Sequence, residues 1–276
     1  MKRILISLDL DGTILNQKSR LPFFTKKYLQ RCIKKGHVIL LNTGRPFTGA
    51  LPIYKEIGLY SLPIAVNNGR AIVTLDANGN LTVLEEHLIP RDVILSFFDE
   101  IKEGLQNCFA LDLHGHYFYR PSVPSFIHFF HRPEFIQVGD LHDILPEKGV
   151  LTFTCYIHSA YKETFLQIAE KYTSILQLEN FGHRDGGLHS YHFSCKGFGK
   201  ATAIQSMEAL YSINHKNTFA YGDSSNDIDM LAYAEHGVAM KNARESVLRE
   251  AKNITKHSNN HHGVIRDFIH RKRKIK

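Results

Sequence analysis

Two carboxylates lie two residues apart in the segment Asp9-Leu10-Asp11-Gly12-Thr13, directly after a short apolar run. If that run is a β-strand, both side chains can leave its end toward one site. One carboxylate can then attack phosphorus as a nucleophile, while the other protonates the leaving group and later activates water. Gly12 lets the backbone turn tightly beside them. The segment therefore predicts phosphoryl chemistry rather than a generic turn after a strand.

A second acidic segment, Gly222-Asp223-Ser224-Ser225-Asn226-Asp227, follows another apolar run. Clustered carboxylates that face a second carboxylate site repel one another unless a cation lies between them. Hard oxygen ligands beside a phosphate substrate favour Mg²⁺. The alternative for this segment alone is an Asn/Asp-rich helix cap. With the first acidic segment present, we predict a magnesium site.

Two further segments carry groups that suit a phosphate. Thr43-Gly44-Arg45 offers a hydroxyl and free backbone N–H groups to phosphate oxygens, although a turn with a solvated arginine would have the same composition. Lys200, at the start of a predicted helix, can balance the negative charge of a nucleophile and a phosphate. Lys196 is a second lysine within reach of the same position.

The elements expected around these segments alternate between strand and helix. Such alternation with fully apolar strands predicts a parallel sheet covered on both faces. Ligands bind at the carboxyl ends of the strands in sheets of this kind, so Asp9, Thr43, Asn68, Asp223 and Asn242 are expected to meet at one edge. The predicted elements are strands at Ile4–Leu8, Val38–Leu41, Ile64–Val66, Thr218–Tyr221 and Val238–Met240, and helices near Thr25–Lys35 and Asp227–Ala234.

The middle of the chain lacks this rhythm of strand and polar loop and is rich in Phe, Tyr and His. We therefore predict an α/β fold in which an α+β cap domain, residues 84–194, is inserted into a Rossmann-like parallel-sheet core, residues 1–83 and 195–276. The elements predicted for the cap are strands at Phe109–Leu113, Val150–Tyr156 and Tyr191–Phe193, and helices near Val93–Gly104 and Lys162–Tyr172.

Together these segments resemble the haloacid dehalogenase-like hydrolase superfamily, and in particular its Cof-type phosphatases, which carry a large α/β cap between the second and third motifs. The resemblance spans the whole chain in order and spacing. Two residues depart from the subfamily pattern: Lys241 stands where glycine is usual, and Arg70 where a small residue is common. The matched motifs are Asp9-Leu10-Asp11-Gly12-Thr13, Thr43-Gly44-Arg45, Asn68-Gly69, Lys200, Gly222-Asp223 with Asn226-Asp227 and Met230, and Gly237–Ala243.

The resemblance implies a role for each matched residue. Asp9 would be the nucleophile and Asp11 the general acid/base, with Thr43 and Lys200 holding the phosphate. Asn242 would help to position Lys200 or the substrate. The further phosphate and substrate contacts would come from Gly44, Arg45, Asn68 and Asn242. Mg²⁺ would be bound by Asp9, the backbone carbonyl of Asp11 and Asp223, with Asn226 and Asp227 supporting the metal or its waters.

The implied activity is the Mg²⁺-dependent hydrolysis of small phosphomonoesters, such as sugar phosphates or phosphorylated cofactors, through an aspartyl-phosphate intermediate. The nearest rival is a phosphomutase or phosphotransferase that uses the same aspartate. Substrate choice is expected to lie in the cap. One candidate there is the glycine-containing turn His183–Gly187, for which a solvent-exposed hairpin turn is the alternative.

Composition excludes several other classes. No stretch approaches the roughly 20 apolar residues of a membrane span, and the four cysteines form no C-x-x-C pair. The net charge is +7, and part of it lies in a basic run at the end of the sequence. Such a run is typical of a solvated tail, and no nucleic-acid-binding module accompanies it. We expect a cytoplasmic protein whose partner is a small phosphorylated metabolite, with neither nucleic acid nor membrane. No oligomeric state follows from the sequence.

The seventeen histidines are predicted to be structural. His114 with His116, and His128 with His131, have the close spacing of metal ligands. No matching cysteine or carboxylate spacing completes a zinc set around either pair.

Overall fold

The structure, a computed structural model, describes residues 2–120, 136–184 and 187–273. The chain forms two compact units. The first unit comprises Met1–Arg45, Ala50–Glu85 and Phe198–Lys276, and the second comprises Pro46–Gly49 and Glu86–Gly197. The second unit is thus inserted in the sequence of the first.

The described strands and helices are numbered in chain order. The strands are β1 (Leu5–Leu8), β2 (Val38–Asn42), β3 (Ile64–Val66), β4 (Ala71–Leu75), β5 (Leu81–Glu86), β6 (Leu105–Leu111), β7 (His116–Tyr119), β8 (Ile136–Val138), β9 (Thr152–His158), β10 (Leu176–Arg184), β11 (Leu188–Cys195), β12 (Thr218–Gly222) and β13 (His236–Ala239). The helices are α1 (Phe23–Lys34), α2 (Phe47–Ile57), α3 (Arg91–Ile101), α4 (Leu141–Ile144), α5 (Lys162–Glu170), α6 (Lys200–Leu210), α7 (Ile228–Tyr233), α8 (Glu245–Glu250) and α9 (Gly263–Lys272).

The first unit is built on a seven-stranded sheet of order β13-β12-β1-β2-β3-β4-β5. β1 pairs in parallel with β2 and with β12, and the parallel pairing continues from β2 to β3 and from β12 to β13. Every residue of β1, β2, β3 and β12 is buried, because these strands are continuous apolar runs with helices to cover both faces. The predicted α/β fold with a Rossmann-like parallel core is therefore confirmed.

One edge of this sheet differs from the predicted all-parallel arrangement, since β3 pairs antiparallel with β4. The cause lies in Asn67, Asn68 and Gly69, whose φ angles of 48°, 57° and 84° are all left-handed and reverse the chain within three residues. Asn and Gly tolerate this conformation best. A polar turn at Asp76, whose Oδ1 accepts hydrogen bonds from the backbone of Asn78 and Asn80, precedes β5.

The second unit contains a six-stranded sheet of order β10-β11-β9-β6-β7-β8, antiparallel except for the β7–β8 pair. Its core is aromatic: the ring of Phe97 on α3 lies with centroids 4.8–6.1 Å from those of Phe153, Phe165 and Phe193. Rings at these distances and angles pack edge to face, which adds to the free energy of burial. No helix in the described parts of the chain is long and apolar enough to cross a membrane.

Candidate active site

Asp9 is the first residue beyond the buried strand β1. Its backbone N–H donates to the carbonyl of Tyr221 on the neighbouring strand β12 at 3.1 Å, which keeps the chain in the sheet up to this point. The side chain is only 8% exposed. Because β1 lies between β2 and β12, the polar segments after all three strands come to the same edge of the sheet.

Lys200 begins α6, and its ammonium group is completely buried. Its Nζ lies 2.6 Å from Oδ1 of Asp9 and 2.6 Å from Oδ1 of Asp227. Burial by itself would lower the pKa of Lys200, but the two carboxylates outweigh it and raise the pKa above its ordinary value. The rival lysine, Lys196, instead donates to the carbonyl of Thr173 within the second unit at 2.6 Å.

Asp9, Asp223 and Asp227 each offer a carboxylate oxygen, and these oxygens lie within 4.8 Å of one another. Burial raises the pKa of Asp9 to about 8; Lys200 opposes this rise, and Asp227 adds to it. Burial, and next the charge of Asp227, also raises the pKa of Asp223 to about 6. Three carboxylates around one ammonium group leave an excess of negative charge. An all-oxygen donor set of this kind fits a hard divalent cation.

The loop that carries Asp223 is fixed by Asp227. One oxygen of Asp227, Oδ2, accepts hydrogen bonds from the backbone N–H groups of Asp223 and Ser224, both at 2.9 Å, while the other oxygen contacts Lys200. The hydroxyl of Thr13 donates to Oδ1 of Asp223 at 3.2 Å. Asp227 thus connects the acidic loop to the buried lysine and leaves a carboxylate oxygen of Asp223 available for a ligand.

Gly12 makes close contact with the same aspartate. Its φ is +75°, and a Cβ placed on it would come within 2.2 Å of Oδ2 of Asp223. Both the left-handed backbone and the lack of space require glycine here. The tight turn between the two acidic segments therefore depends on the absence of a side chain.

The side chain of Asp11 is paired with Arg45. The guanidinium donates from Nε to Oδ2 at 2.6 Å and from Nη2 to Oδ1 at 2.5 Å. This pairing is bidentate, and the hydrogen bond to Asp11 raises the pKa of Arg45. Backbone N–H of Arg45 donates to Oγ1 of Thr43 at 3.1 Å, so the two predicted phosphate-binding residues brace one another.

Asn68 and Asn226 are brought together by a hydrogen bond of 2.7 Å from Nδ2 of Asn226 to Oδ1 of Asn68. The backbone N–H of Asn68 also donates to the carbonyl of Thr43 at 2.9 Å. A Cβ on Gly44 would lie 3.0 Å from Oδ1 of Asn68, so the glycine permits this close approach. The structure thereby unites three of the predicted segments, although they lie far apart in the sequence.

Asn242 borders the site from the loop after β13. Its Nδ2 donates to the carbonyl of Gly12 at 2.8 Å, and its Oδ1 accepts from the backbone N–H of Asn259 at 2.9 Å. These contacts hold the turn at Gly12. Positioning of Lys200 by Asn242 stays a prediction.

Two residues that support the site were not among those predicted. Asn42, completely buried at the end of β2, donates to the carbonyl of Lys200 at 2.9 Å and to the hydroxyl of Ser7 at 3.2 Å. Asp229 accepts a hydrogen bond from the backbone N–H of Ala201 at 3.2 Å, in the first turn of α6. The polar Asn42 at the end of an apolar strand was a usable signal, whereas Asp229 carried none.

The predictions for the second unit are less completely described. His116 is buried, and burial lowers its pKa to about 4, with Asp112 opposing, so the ring is neutral near pH 7. His128, His131, Asp185 and Gly186 lie outside the described residues. No grouping of three or more His, Cys, Asp or Glu ligands other than Asp9, Asp223 and Asp227 occurs within residues 2–120, 136–184 and 187–273.

The chain is similar to known proteins over most of its length. The sequence profile of the haloacid dehalogenase-like hydrolases matches residues 6–268. The chain is 30% identical over 269 residues to the 5-amino-6-(5-phospho-D-ribitylamino)uracil phosphatase YitU of Bacillus subtilis, covering 96% of each chain. It is 27% identical over 262 residues to the pyridoxal phosphate phosphatase YbhA of Escherichia coli, covering 89% of this chain and 90% of that protein.

The fold is shared with solved structures as well. A haloacid dehalogenase-like hydrolase from Bacteroides thetaiotaomicron superposes with a TM-score of 0.77 at 23% identity, over 98% of this chain and 99% of that one. At this level of identity the similarity concerns the fold alone. The fold, the profile and the 30% identical relative all point to the same family.

Proposed function

The chain belongs to the haloacid dehalogenase-like hydrolase family, and we propose that this enzyme is an Mg²⁺-dependent phosphatase of small phosphomonoesters. The observation that carries the proposal is the buried contact between Asp9 and Lys200, 2.6 Å long, beside the carboxylates of Asp223 and Asp227. The sequence relatives named as phosphatases support it. Sugar phosphates and phosphorylated cofactors are the proposed substrates.

In the first step we assign the nucleophile to Asp9. A carboxylate oxygen of Asp9 forms a bond to phosphorus as the bond from phosphorus to the leaving oxygen breaks. Asp11, which has left Arg45 and taken up a proton from solvent, gives that proton to the leaving oxygen. The Thr43 hydroxyl, the Gly44 N–H and the Lys200 ammonium hold the phosphate oxygens. Since an ammonium next to the reacting group balances developing charge, its rigid placement contributes directly to the rate.

In the second step water replaces Asp9 on phosphorus. Asp11, now a carboxylate, takes a proton from the attacking water, and the bond between phosphorus and the Asp9 oxygen breaks. Asp11 must leave its pairing with Arg45 to reach the substrate in either step. Arg45 would then be free to contact the phosphate or the leaving group.

Mg²⁺ would be held by the carboxylates of Asp9 and Asp223 and by the backbone carbonyl of Asp11, with Asn226 and Asp227 supporting it. When bound, it supplies positive charge that neutralises the nucleophile and the phosphate oxygens. The excess negative charge around Lys200 is the reason to expect a cation there. We further propose a cytoplasmic enzyme that acts on free metabolites and requires neither membrane nor nucleic acid.

The test is a panel of phosphorylated metabolites and one aryl phosphate, assayed for release of inorganic phosphate with and without Mg²⁺. We expect Mg²⁺-dependent release by the wild type and a loss of at least about a thousandfold in Asp9→Asn. Asp92→Asn, an exposed carboxylate on α3, is the matched control and should keep its activity. Wild-type turnover in Asp9→Asn would refute the mechanism, and transfer of phosphate to a sugar instead of water would identify a phosphotransferase.

A further inference from the structure

Two adjoining concavities lie on the first unit next to β13. Their volumes are about 390 Å³ and about 510 Å³, and both are lined by Lys256 and His257. Neither is lined by Asp9 or Lys200. We name one set of basic side chains in this lining the basic groove, which consists of Lys241, Lys256, His257, Arg266, His270 and Arg271.

Basic residues outnumber acidic ones in the lining of the basic groove. The one acidic residue in its lining is Asp267, whose Oδ2 already accepts from Nε of Arg271 at 2.7 Å and from the hydroxyl of Tyr221 at 3.0 Å. In the described part of the chain, Lys241, Lys256 and Arg266 take part in no ion pair. Like charges held together in this way repel, and a bound anion would relieve that repulsion.

A simpler explanation covers only part of the groove. Cations in the last turn of a helix stabilise its dipole, and this accounts for His270 and Arg271 at the end of α9. Arg266 lies nearer the beginning of α9, while Lys241 and Lys256 belong to two separate loops. Stabilisation of the helix dipole therefore does not explain why these three cations line the same groove.

We propose that the basic groove binds a small anion with two or more linked phosphate groups. Lysine and arginine side chains only donate hydrogen bonds, so the ligand must be rich in acceptor oxygens and negative charge. The cations are spread over two adjoining concavities, which suits several phosphates better than one. Ile254, which is 45% exposed in the same lining, offers an apolar surface to an organic part of the ligand. A volume of about 390 Å³ is within the range of small-molecule sites.

The groove borders the active site at one residue. Asn242 belongs to the lining of the second concavity and also donates to the carbonyl of Gly12. The neighbouring Lys241 is anchored through its backbone N–H, which donates to Oγ1 of Thr255 at 2.8 Å. Binding at the groove and binding at Asp9 and Lys200 therefore use different cations, and substitutions can separate them.

Titration calorimetry with tripolyphosphate, in EDTA to prevent hydrolysis, tests the proposal. The variant Lys241→Gln/Lys256→Gln/Arg266→Gln should bind about tenfold more weakly than the wild type, since it loses three exposed cationic contacts to the anion. The control Lys18→Gln/Lys34→Gln/Lys55→Gln removes the same charge from exposed positions of the first unit and should bind within about twofold of the wild type. Lys200→Met, titrated under conditions where circular dichroism shows it to be folded, should retain binding.

The opposite pattern would overturn the proposal: affinity lost in Lys200→Met and kept in the groove variant would mean that tripolyphosphate binds only at the active site. Equal weakening in the groove variant and its charge-matched control would indicate a diffuse effect of net charge. Parallel titrations with ADP and pyrophosphate distinguish the source of the linked phosphates. If ADP binds more tightly than pyrophosphate, the organic part of the ligand contributes to binding. A single-stranded oligonucleotide that binds where tripolyphosphate does not would make the groove a nucleic-acid surface and refute the small-anion proposal.

Discussion

Arg45 contacts both carboxylate oxygens of Asp11, through Nε at 2.6 Å and Nη2 at 2.5 Å. The two side chains are 28% and 54% exposed, so this ion pair stabilises the fold by no more than about 1 kcal/mol. Its effect is mainly on orientation, because a bidentate pair fixes the plane of the carboxylate. The pair therefore holds the proposed general acid/base in one defined position before substrate binds.

The first prediction concerns Arg45→Ala. Without the guanidinium, the phosphate or the leaving group loses the cation that Arg45 offers once Asp11 has left it, so kcat/KM should fall by about 100-fold. Arg45→Lys should recover only part of this loss, since lysine cannot make the bidentate contact. The measurement is steady-state kinetics together with urea unfolding. In the control Arg249→Ala, which removes the ion pair with Glu245 inside α8, activity should be unchanged. Full activity in Arg45→Ala would show that the pair is incidental.

The second prediction compares Lys200→Met with Lys196→Met. Removal of the buried Lys200 ammonium leaves Asp9 and Asp227 without their partner, which costs about 3–5 kcal/mol when the carboxylates stay charged. We expect loss of activity and a lower free energy of unfolding at pH 7.5, with part of the stability regained at lower pH as the carboxylates protonate. The ammonium of Lys196 donates to the carbonyl of Thr173, an exposed contact, so its substitution should have a small effect on both measurements. Comparable effects of the two substitutions would remove Lys200 from its proposed role.

The sequence indicated which segments meet at the edge of the sheet, because polar residues there directly follow apolar strands. Asp9, Thr43 and Asp223 are polar residues directly after buried apolar strands, and a sheet of this type brings such positions together. The pairing of individual side chains was not predictable. Asn226 and Asn68 are 158 residues apart, and their contact depends on how the loops pack in three dimensions.

Element boundaries show the same limit. The helix predicted from Thr25 begins at Phe23. The prediction missed the first two residues because Phe23 and Phe24 are about 70% exposed and so do not follow the apolar pattern that marks the buried face of α1. Strand β5 escaped prediction because it is an edge strand whose residues are all exposed or only partly buried. Where burial does not select the residue type, the sequence carries little signal for structure.

The third prediction uses two glycines with the same backbone strain. Gly12 and Gly79 both have positive φ, +75° and +92°, but a Cβ on Gly79 meets nothing within 4 Å, whereas one on Gly12 would lie 2.2 Å from Oδ2 of Asp223. Gly79→Ala should therefore cost only about 1 kcal/mol of strain. Gly12→Ala should in addition displace the Asp223 carboxylate and raise the Mg²⁺ concentration needed for half-maximal activity. The measurements are urea unfolding and Mg²⁺ titration of the rate. An unchanged Mg²⁺ requirement in Gly12→Ala would separate this turn from the metal site.

The last prediction is that stabilisation by Mg²⁺ increases with pH. Burial raises the pKa of Asp223 to about 6 in the folded protein, above its ordinary value of 3.8. The metal-free folded state then binds this proton more tightly than the unfolded state does, so its stability should fall as pH rises from about 4 to about 6. Mg²⁺ binds the ionised carboxylate, and binding to the folded state alone adds stability according to the ratio of its concentration to its Kd. Asp9, with a pKa raised to about 8, extends the same trend to higher pH.

Thermal unfolding at pH 5 and pH 7.5, each with EDTA and with Mg²⁺, measures this directly. The rise in Tm caused by Mg²⁺ should be clearly larger at pH 7.5 than at pH 5. Asp223→Asn removes the titrating carboxylate, so its metal-free stability should be higher than that of the wild type at pH 7.5 and its response to Mg²⁺ smaller. Exposed Asp92→Asn should behave like the wild type. An ionisable ligand couples metal binding to pH in this range, so an equal rise in Tm with Mg²⁺ at both pH values would mean that the metal binds without Asp223. An equal rise in Asp223→Asn and in the wild type would lead to the same conclusion.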